Sequence, residues 1–239
     1  MAAVALAEMP RIERLDLARV ELPADHPAAV LTRSVPVHGF LIDHPDGAIL
    51  VDTGVGFGNE LIDALYQPTR ADLGALLAHL GTDLDQVVAV VNSHLHFDHC
   101  GQNPALFGGP TTFYAQAVEI ESVEADQLYT DAAWALAPIE QRRVIRGDER
   151  IADGVTLLAT PGHTAGHQSV LVEAGDRRVV IGAQVVWHRE EFASEVASGA
   201  NVDPIPALQA AAVESIRRLK ALRPEVVHLS HCPAYLPPE

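Results

Sequence analysis

The stretch that decides the fold is SHLHFDH at residues 93–99, which directly follows the apolar run QVVAVVN at residues 86–92. That run is continuous and rich in β-branched residues, as expected for a strand covered on both faces. The loop after it presents His94, His96, Asp98 and His99 within six positions. As ordinary core residues, each would need its own hydrogen-bond partner, at a cost of about 1–3 kcal/mol for any one left without. The stretch therefore predicts a metal site at the end of a buried strand.

Two more histidine-bearing loops follow predicted strands. PGHTAGH at residues 161–167 comes after a predicted strand at 154–160, and His231 comes after one at 225–230. Loops held at strand ends often carry functional residues. Imidazole and carboxylate ligands favour zinc, although iron, cobalt and manganese use the same ligand types. The candidate ligands, enough for two ions, are His94, His96, Asp98, His99, His163 and His231.

The remaining pattern predicts an α/β fold in one domain, residues 1–239. Hairpins are predicted at 35–52 and 169–181, a strand at 111–114, and helices over 61–65, 73–80, 116–124 and 208–219. Residues 125–143 fit neither helix nor loop clearly. Because strands followed by helices occur in both halves, we expect two sheets packed face to face with helices outside.

Composition excludes several classes of protein. With 239 residues, 48% hydrophobic and 20% charged, the chain can bury a sizeable core and is not a disordered polymer. A net charge of −16 disfavours nucleic acid as a partner. Met1–Ala7 lacks the basic leader of a signal peptide, and no apolar run is long enough to span a membrane. Two cysteines, Cys100 and Cys232, fit a reducing compartment, so a cytoplasmic location is expected.

The motifs resemble those of the metallo-β-lactamase-fold hydrolases. The matching segments are HLHFDH at 94–99, PGHTAGH at 161–167 and VDTG at 51–54. Within that superfamily the chain is most similar to the N-acyl-homoserine lactonases, through SHLHFDH, TPGHTAGHQS at 160–169 and QVVWHREEFASEV at 184–196. The resemblance implies a four-layer αββα sandwich.

The resemblance also implies roles for individual residues. His94, His96 and His163 would bind one metal, and Asp98, His99 and His231 the other. Asp52 would orient a ligand imidazole from behind. His167 is open between fixing the His163 loop and a surface role, while Cys100 and Cys232 are expected to be packing residues.

Two positions depart from the lactonase pattern. Gln184 stands where the family has a metal-bridging aspartate, and its amide oxygen carries no negative charge, so metal affinity should fall. Trp187 stands where the lactonases carry a tyrosine, and it offers only an indole N–H to a substrate or a developing oxyanion. A shifted alignment would let Asp176 or Asp203 bridge instead, but Asp176 falls in a predicted hairpin turn and Asp203 precedes a proline.

The implied function is a zinc hydrolase, with one or two ions, that opens the ring of a small-molecule lactone or ester, N-acyl-homoserine lactones first. A metal-bound hydroxide would attack the carbonyl, while Asp98 guides it and passes a proton to the leaving alkoxide. Two alternatives remain: a thioesterase or phosphoesterase of the same fold, and a catalytically silent metal-binding module. A homodimer is possible, and no membrane partner is expected.

Overall fold

The computed structural model describes residues 8–126, 129–202 and 205–237. Seven strands form a first sheet: β1 (Arg11–Glu21), β2 (Ser34–Asp43), β3 (Ala48–Val51), β4 (Thr69–Arg70), β5 (Val87–Val91), β6 (Thr112–Gln116) and β7 (Arg142–Ile145). Their order across the sheet is β4-β1-β2-β3-β5-β6-β7. Met1–Ala7, the segment on which the expectation about a signal peptide rests, lies outside the described residues.

Five strands form a second sheet: β8 (Glu149–Ala152), β9 (Val155–Ala159), β10 (Gln168–Ala174), β11 (Arg177–Ala183) and β12 (Val226–Leu229). Their order is β12-β11-β10-β9-β8, with β12 parallel to β11 and the other pairs antiparallel. One buried cluster joins the two sheets, since it contains Phe40, Ile42 and Val91 from the first and Leu157 and Ile181 from the second. The sheets therefore pack face to face.

Helices cover the two outer faces. The helices are α1 (Glu60–Tyr66), α2 (Leu73–His79), α3 (Phe97–Cys100), α4 (Ala117–Ala125), α5 (Ala132–Ala135), α6 (Arg189–Ser194) and α7 (Pro206–Ala221). In β2, Leu41 points away from its neighbours Phe40 and Ile42 and packs with Leu73 and Leu77 of α2, because successive side chains alternate between faces of a sheet. The same alternation sends one face of the second sheet against α7. The layers are thus α/β/β/α, as the resemblance implies.

The structure confirms the two hairpins, the strand before the histidine motif and the helices at 61–65, 73–80, 116–124 and 208–219. It adds β1, which the sequence analysis did not predict. The strand has a register shift between Asp16 and Ala18. Leu15 and Leu17 are buried, but the next buried side chain is Val20 and not residue 19, so the sequence does not show a regular alternation of apolar and polar residues. The ambiguous residues 125–143 contain the short helix α5 and lead into β7. Of the described helices, even the longest, the 16-residue α7, is too short and too polar to cross a bilayer.

Candidate metal centre

The site lies at the rim where several strands end. Because β3 runs parallel to β5, and β9 and β11 run in the same direction as β12, their carboxyl ends open onto one edge of the sandwich. The residues that follow these strands are Asp52 after β3, His94–His99 after β5, His163 after β9, Gln184 after β11 and His231 after β12. The fold therefore brings together every ligand position that the sequence predicts.

The VDTG segment forms a support beneath the histidine motif. The backbone N–H of Thr53 donates to the carbonyl of His99 over 2.7 Å, and that of Gly101 donates to the carbonyl of Gly54 over 2.7 Å. A Cβ at position 101 would lie 1.9 Å from the backbone nitrogen of Gly56, so only glycine permits this approach. The close contact places the Asp52 carboxylate directly behind His99.

The first cluster consists of His94, His96 and His163. The Nδ1 atom of His96 lies 3.1 Å from the Nε2 atom of His94 and 3.1 Å from the Nε2 atom of His163. Nitrogens around a tetrahedral zinc ion at 2.0–2.1 Å would be about 3.3–3.4 Å apart. Three imidazole nitrogens thus converge at nearly the spacing that one such ion imposes.

The second cluster consists of Asp98, His99 and His231. The Oδ2 atom of Asp98 lies 3.4 Å from Nε2 of His99 and 3.6 Å from Nε2 of His231. The Oε1 atom of Gln184 lies 3.0 Å from both of those ring nitrogens. Gln184 is 4% exposed, and its amide nitrogen lies 3.5 Å from Nδ1 of His163, a residue of the first cluster. The predicted bridging position therefore lies beside residues of both clusters, with its oxygen directed at the second.

Fixed partners orient the ring nitrogens that face away from the clusters. Nδ1–H of His163 donates to the Asn201 carbonyl over 2.6 Å, and Nδ1–H of His231 donates to the Pro36 carbonyl over 2.8 Å. Nδ1–H of His99 donates to Oδ2 of Asp52 over 2.7 Å. Each bond directs the opposite nitrogen of its ring into the cluster, the arrangement usual for metal-ligating histidines. Asp52 thus has the contact that the resemblance implies.

Ser93 extends this support to a fourth imidazole. Its hydroxyl donates to Oδ2 of Asp52 over 2.7 Å and lies 3.1 Å from Nδ1 of His94. The backbone N–H of Ser93 donates to the other carboxylate oxygen of Asp52, also over 2.7 Å. One buried carboxylate therefore braces both clusters.

Burial keeps most of these imidazoles neutral. Desolvation, followed by the neighbouring imidazoles, lowers the pKa of His94 and of His163 well below the ordinary value. Burial also lowers the pKa of His231 to about 4 and that of His167 to about 3. A neutral ring whose Nδ1 carries the hydrogen presents a lone pair at Nε2, which is the form that binds a metal.

His99 is the exception. Burial alone would lower its pKa, but the carboxylates of Asp98 and Asp52 outweigh burial and raise the pKa to about 10. In the same way, burial would raise the pKa of Asp98, but His99 and then His231 bring it well below its usual range. The metal-free protein therefore holds an imidazolium ion between two carboxylates.

The donor set fits a divalent cation. In the first cluster, His94 and His163 both direct an Nε2 lone pair at His96, whose ring can supply at most one hydrogen there. In the second cluster, the Nε2 lone pair of His231 faces the Oε1 acceptor of Gln184 at 3.0 Å with no hydrogen between them. Acceptors that face one another at such distances are stabilised by a cation. Each cluster has three ligand atoms within 4.8 Å of one another.

A cavity of about 640 Å³ opens onto both clusters. Trp187 lines it, and the Trp187 ring lies 5.1 Å from that of His231 and 6.1 Å from that of His26. Position 187 thus faces the predicted site. His26 also lines the cavity.

Asp176, the one alternative bridging residue that the structure describes, does not reach the site. Asp176 lies in the turn between β10 and β11, at the end of the strands opposite to Gln184. Asp203 lies outside the described residues. Cys100 and Cys232 are both buried and free, and they pack in different clusters of the core. His167 is fully buried with its Nδ1 atom 3.0 Å from the Thr160 carbonyl, so it braces the His163 loop from within.

Several contributing residues escaped the sequence analysis. Ser93, Asn201 and Pro36 act through a hydroxyl or a backbone carbonyl, and no residue-type pattern marks such partners. Glu119 and Tyr129 also contact the histidine loops, directly or by ring packing. Of these residues, Glu119 could have been noticed in the sequence, because it places a carboxylate on the inward face of a predicted helix.

Comparisons with known proteins identify the family of the chain. The sequence model of the metallo-beta-lactamase superfamily matches residues 33–231. An N-acyl homoserine lactonase of Bacillus thuringiensis is 31% identical over 200 residues, which cover 78% of this chain and 76% of the relative. A probable metallo-hydrolase of Mycobacterium tuberculosis is 29% identical over 179 residues, covering 64% of this chain and 57% of that protein.

Solved structures extend the likeness over nearly the whole chain. An N-acyl homoserine lactone hydrolase with the product N-hexanoyl-L-homoserine bound at its catalytic metal center has a TM-score of 0.76 at 26% identity, covering 95% of this chain and 94% of that one. A probable metal-dependent hydrolase from Staphylococcus aureus shares the fold, with a TM-score of 0.79 at 15% identity over 96% of this chain and 92% of that one. The chain therefore belongs to the metallo-β-lactamase superfamily and is a hydrolase of that fold, homologous to the N-acyl homoserine lactonases.

Proposed function

We propose that this protein is a zinc-dependent lactonase whose first substrate class is the N-acyl-homoserine lactones. The observation that carries the proposal is a cavity that residues of both metal-type clusters line and that also has a set of apolar wall residues. Those apolar residues include Val20, Leu22, Leu61, Leu65 and Val202. A volume of about 640 Å³ lies within the range of small-molecule sites. A polar ring can thus lie against the clusters while an acyl chain lies along the wall.

We assign the ligands by cluster. His94, His96 and His163 hold one divalent ion, and Asp98, His99 and His231 hold the other, with the Gln184 amide oxygen as a further ligand on that side. When bound, such ions lower the pKa of water toward about 7 and polarise a carbonyl oxygen. Asp52 and Ser93 keep the imidazoles oriented for this role.

Asp98 and Trp187 are the residues that face the substrate. The Asp98 side chain is 13% exposed and lines the cavity, so its carboxylate can accept a hydrogen bond from the attacking water and then hand a proton to the leaving alkoxide. Trp187 lines the cavity and has an indole N–H at the position where the lactonases have a phenol. We therefore expect weaker stabilisation of the developing oxyanion than a tyrosine hydroxyl gives.

The charge of the cavity favours a neutral ester over a phosphoester. Among the described residues, no lysine or arginine lines the cavity, whereas Asp98 and Asp131 do. A phosphoryl group needs cationic partners to offset its charge, and here it would find them only in the bound ions, without the arginine or lysine side chains that usually assist. A thioester meets no such objection, so it is the second candidate.

The test is hydrolysis by zinc-loaded protein of acyl-homoserine lactones of several chain lengths, a plain γ-lactone, a glutathione thioester and a phosphodiester. Chelated protein and the His96→Ala variant are the controls. Lactone opening that both controls abolish supports the proposal. Turnover of the thioester or phosphodiester alone would reject the lactonase assignment, and metal binding without turnover of any substrate would favour a silent module.

A further inference from the structure

A buried carboxylate lies between the two loops that form the first cluster. Glu119 of α4 is 1% exposed. Its Oε2 atom accepts the backbone N–H of Leu95 over 3.0 Å and the hydroxyl of Tyr129 over 2.8 Å. Its Oε1 atom accepts the hydroxyl of Thr164 and the backbone N–H of Gly166, the latter over 3.0 Å. Four donors from three segments thus converge on one side chain.

Three of the four contacts span 24 to 47 positions of the sequence, and they involve residues next to or near the proposed metal ligands. Leu95 lies between His94 and His96, and Thr164 directly follows His163. A Cβ at Gly166 would lie 2.7 Å from the Glu119 side chain, so the loop is built to fit closely around it. No ion pair joins Glu119 to a lysine or arginine in the described part of the chain, so hydrogen bonds alone satisfy the charge. An ionised group is buried only when such partners offset its desolvation.

We infer that Glu119 is a positioning residue, which clamps the loop carrying His94 and His96 to the loop carrying His163 and thereby sets the geometry of the first cluster. The inference rests on the metal-binding part of the proposed function and is independent of the lactone substrate.

The same carboxylate connects the cluster to the cavity wall. The Tyr129 hydroxyl is held by Glu119, and the Tyr129 ring packs over the His96 ring with centroids 4.8 Å apart. Tyr129 lines the cavity beside His96. Glu119 therefore fixes the His96 imidazole both through the backbone of its loop and through the ring above it.

Replacement by glutamine tests the clamp sharply. All four partners of Glu119 donate, so a carboxylate can accept every bond, whereas an amide keeps one acceptor oxygen and turns an NH₂ group toward two donors. The hydroxyls of Tyr129 and Thr164 can turn to accept from an NH₂ group, but the backbone N–H groups of Leu95 and Gly166 cannot, so one of the two loops must lose its backbone contact. Mutation of residues that orient metal ligands typically weakens metal affinity by about 10- to 100-fold.

The experiment measures zinc affinity in two backgrounds by competition with a chromophoric chelator. The variant His231→Ala disables the second cluster and leaves the first, and His163→Ala does the reverse. We expect Glu119→Gln to weaken zinc binding by about 10- to 100-fold in the His231→Ala background and by much less in the His163→Ala background. Equal losses in both backgrounds, or no loss in the first, would overturn the inference.

A matched control separates this role from general stability. Gln141 is also buried and makes four hydrogen bonds, to the backbone of residues 106, 108, 109 and 111, away from both clusters. Gln141→Ala should lower the thermal midpoint of the metal-free protein and leave zinc affinity unchanged. If Glu119→Gln does not fold, Thr164→Val removes one donor only and should still weaken zinc binding in the His231→Ala background alone; unchanged affinity there would refute the clamp. Because no lactone is used, failure of the lactonase assignment would appear only in the turnover assay.

Discussion

The proton on His99 should control metal uptake at the second cluster. In the metal-free protein the pKa of His99 is about 10, and a metal needs the lone pair on its Nε2 atom, so an incoming ion must displace a proton. Because pH 7 is about three units below this pKa, removal of the proton at pH 7 costs about 4 kcal/mol. We therefore expect release of about one proton per ion, and an affinity that rises about tenfold per pH unit between pH 7 and pH 9.

The substitution Asp52→Asn should change both the pKa of His99 and the intrinsic affinity of the second cluster for a metal. Asp52 is one of the two carboxylates that raise the pKa of His99, so its neutralisation lowers that pKa and reduces proton competition at neutral pH. The substitution also weakens the hydrogen bond that orients His99, which should lower the intrinsic affinity by about 10- to 100-fold. The variant should therefore have a flatter dependence of affinity on pH, and it should differ most from the parent at high pH, where proton competition no longer limits the parent.

Calorimetric zinc titration in the His163→Ala background measures the zinc affinity at each pH. Pairs of buffers that differ in ionisation enthalpy give the number of protons released. The surface variant Asp46→Asn, whose parent side chain is 78% exposed, is the matched control and should follow the parent at every pH. Absence of proton release at pH 7, or Asp52→Asn curves of the same slope and height as the parent, would refute the reasoning.

Three further predictions concern other parts of the site. Gln184→Asp should tighten zinc binding by at least about tenfold, because an anionic oxygen replaces a neutral one beside the ions; an unchanged titration would count against Gln184 as a ligand. Leu65→Asp, in the cavity lining, should lower kcat/KM for a long-chain lactone about tenfold more than for a short-chain one, because each buried methylene contributes about 0.8 kcal/mol. Equal losses for both substrates would mean that the acyl chain binds elsewhere. The free energy of unfolding of the metal-free protein should decrease as the pH falls below about 6.5. The pKa values of His167 and His231 are lowered in the folded protein, so in this pH range the unfolded chain binds protons that the folded protein does not. Equal free energies of unfolding at pH 7 and pH 5, measured by denaturant titration, would contradict this.

Local patterns predicted the parts of the site that follow single strands. The continuous apolar run of β5 and the polar residues after it are adjacent in sequence, so one segment showed both the strand and the ligands. His163 and His231 were predictable for the same reason, because each follows a strand that ends in a loop. The sheet order was not readable from the residues alone, since β1 is interrupted by a register shift and lies between β2 and the two-residue β4.

The supporting contacts could not be predicted from sequence because most use groups that every residue has. Pro36 and Asn201 orient His231 and His163 through backbone carbonyls, and any residue type could supply those atoms. Glu119 shows a related difficulty. A glutamate on the inward face of a helix is unusual, but its partners lie 10, 24, 45 and 47 positions away, and two of the four are backbone N–H groups. Only the folded chain therefore shows what Glu119 holds.

Gln184 is the position where sequence and geometry together say more than either alone. The sequence shows an amide where the lactonases have an anion, and the structure places its oxygen 3.0 Å from two ring nitrogens of the second cluster, while its NH₂ group lies beside the outward-facing Nδ1 of His163. An amide oxygen has no second anionic end, so it can serve the second cluster but cannot supply a carboxylate oxygen to each ion. The proposed ion at the first cluster then has only three neutral imidazoles as ligands. The proposed ion at the second cluster has one anionic ligand, Asp98, and the Asp52 carboxylate lies behind His99. The two ions should accordingly bind with unequal affinity and unequal dependence on pH, and Gln184→Asp should make them more alike.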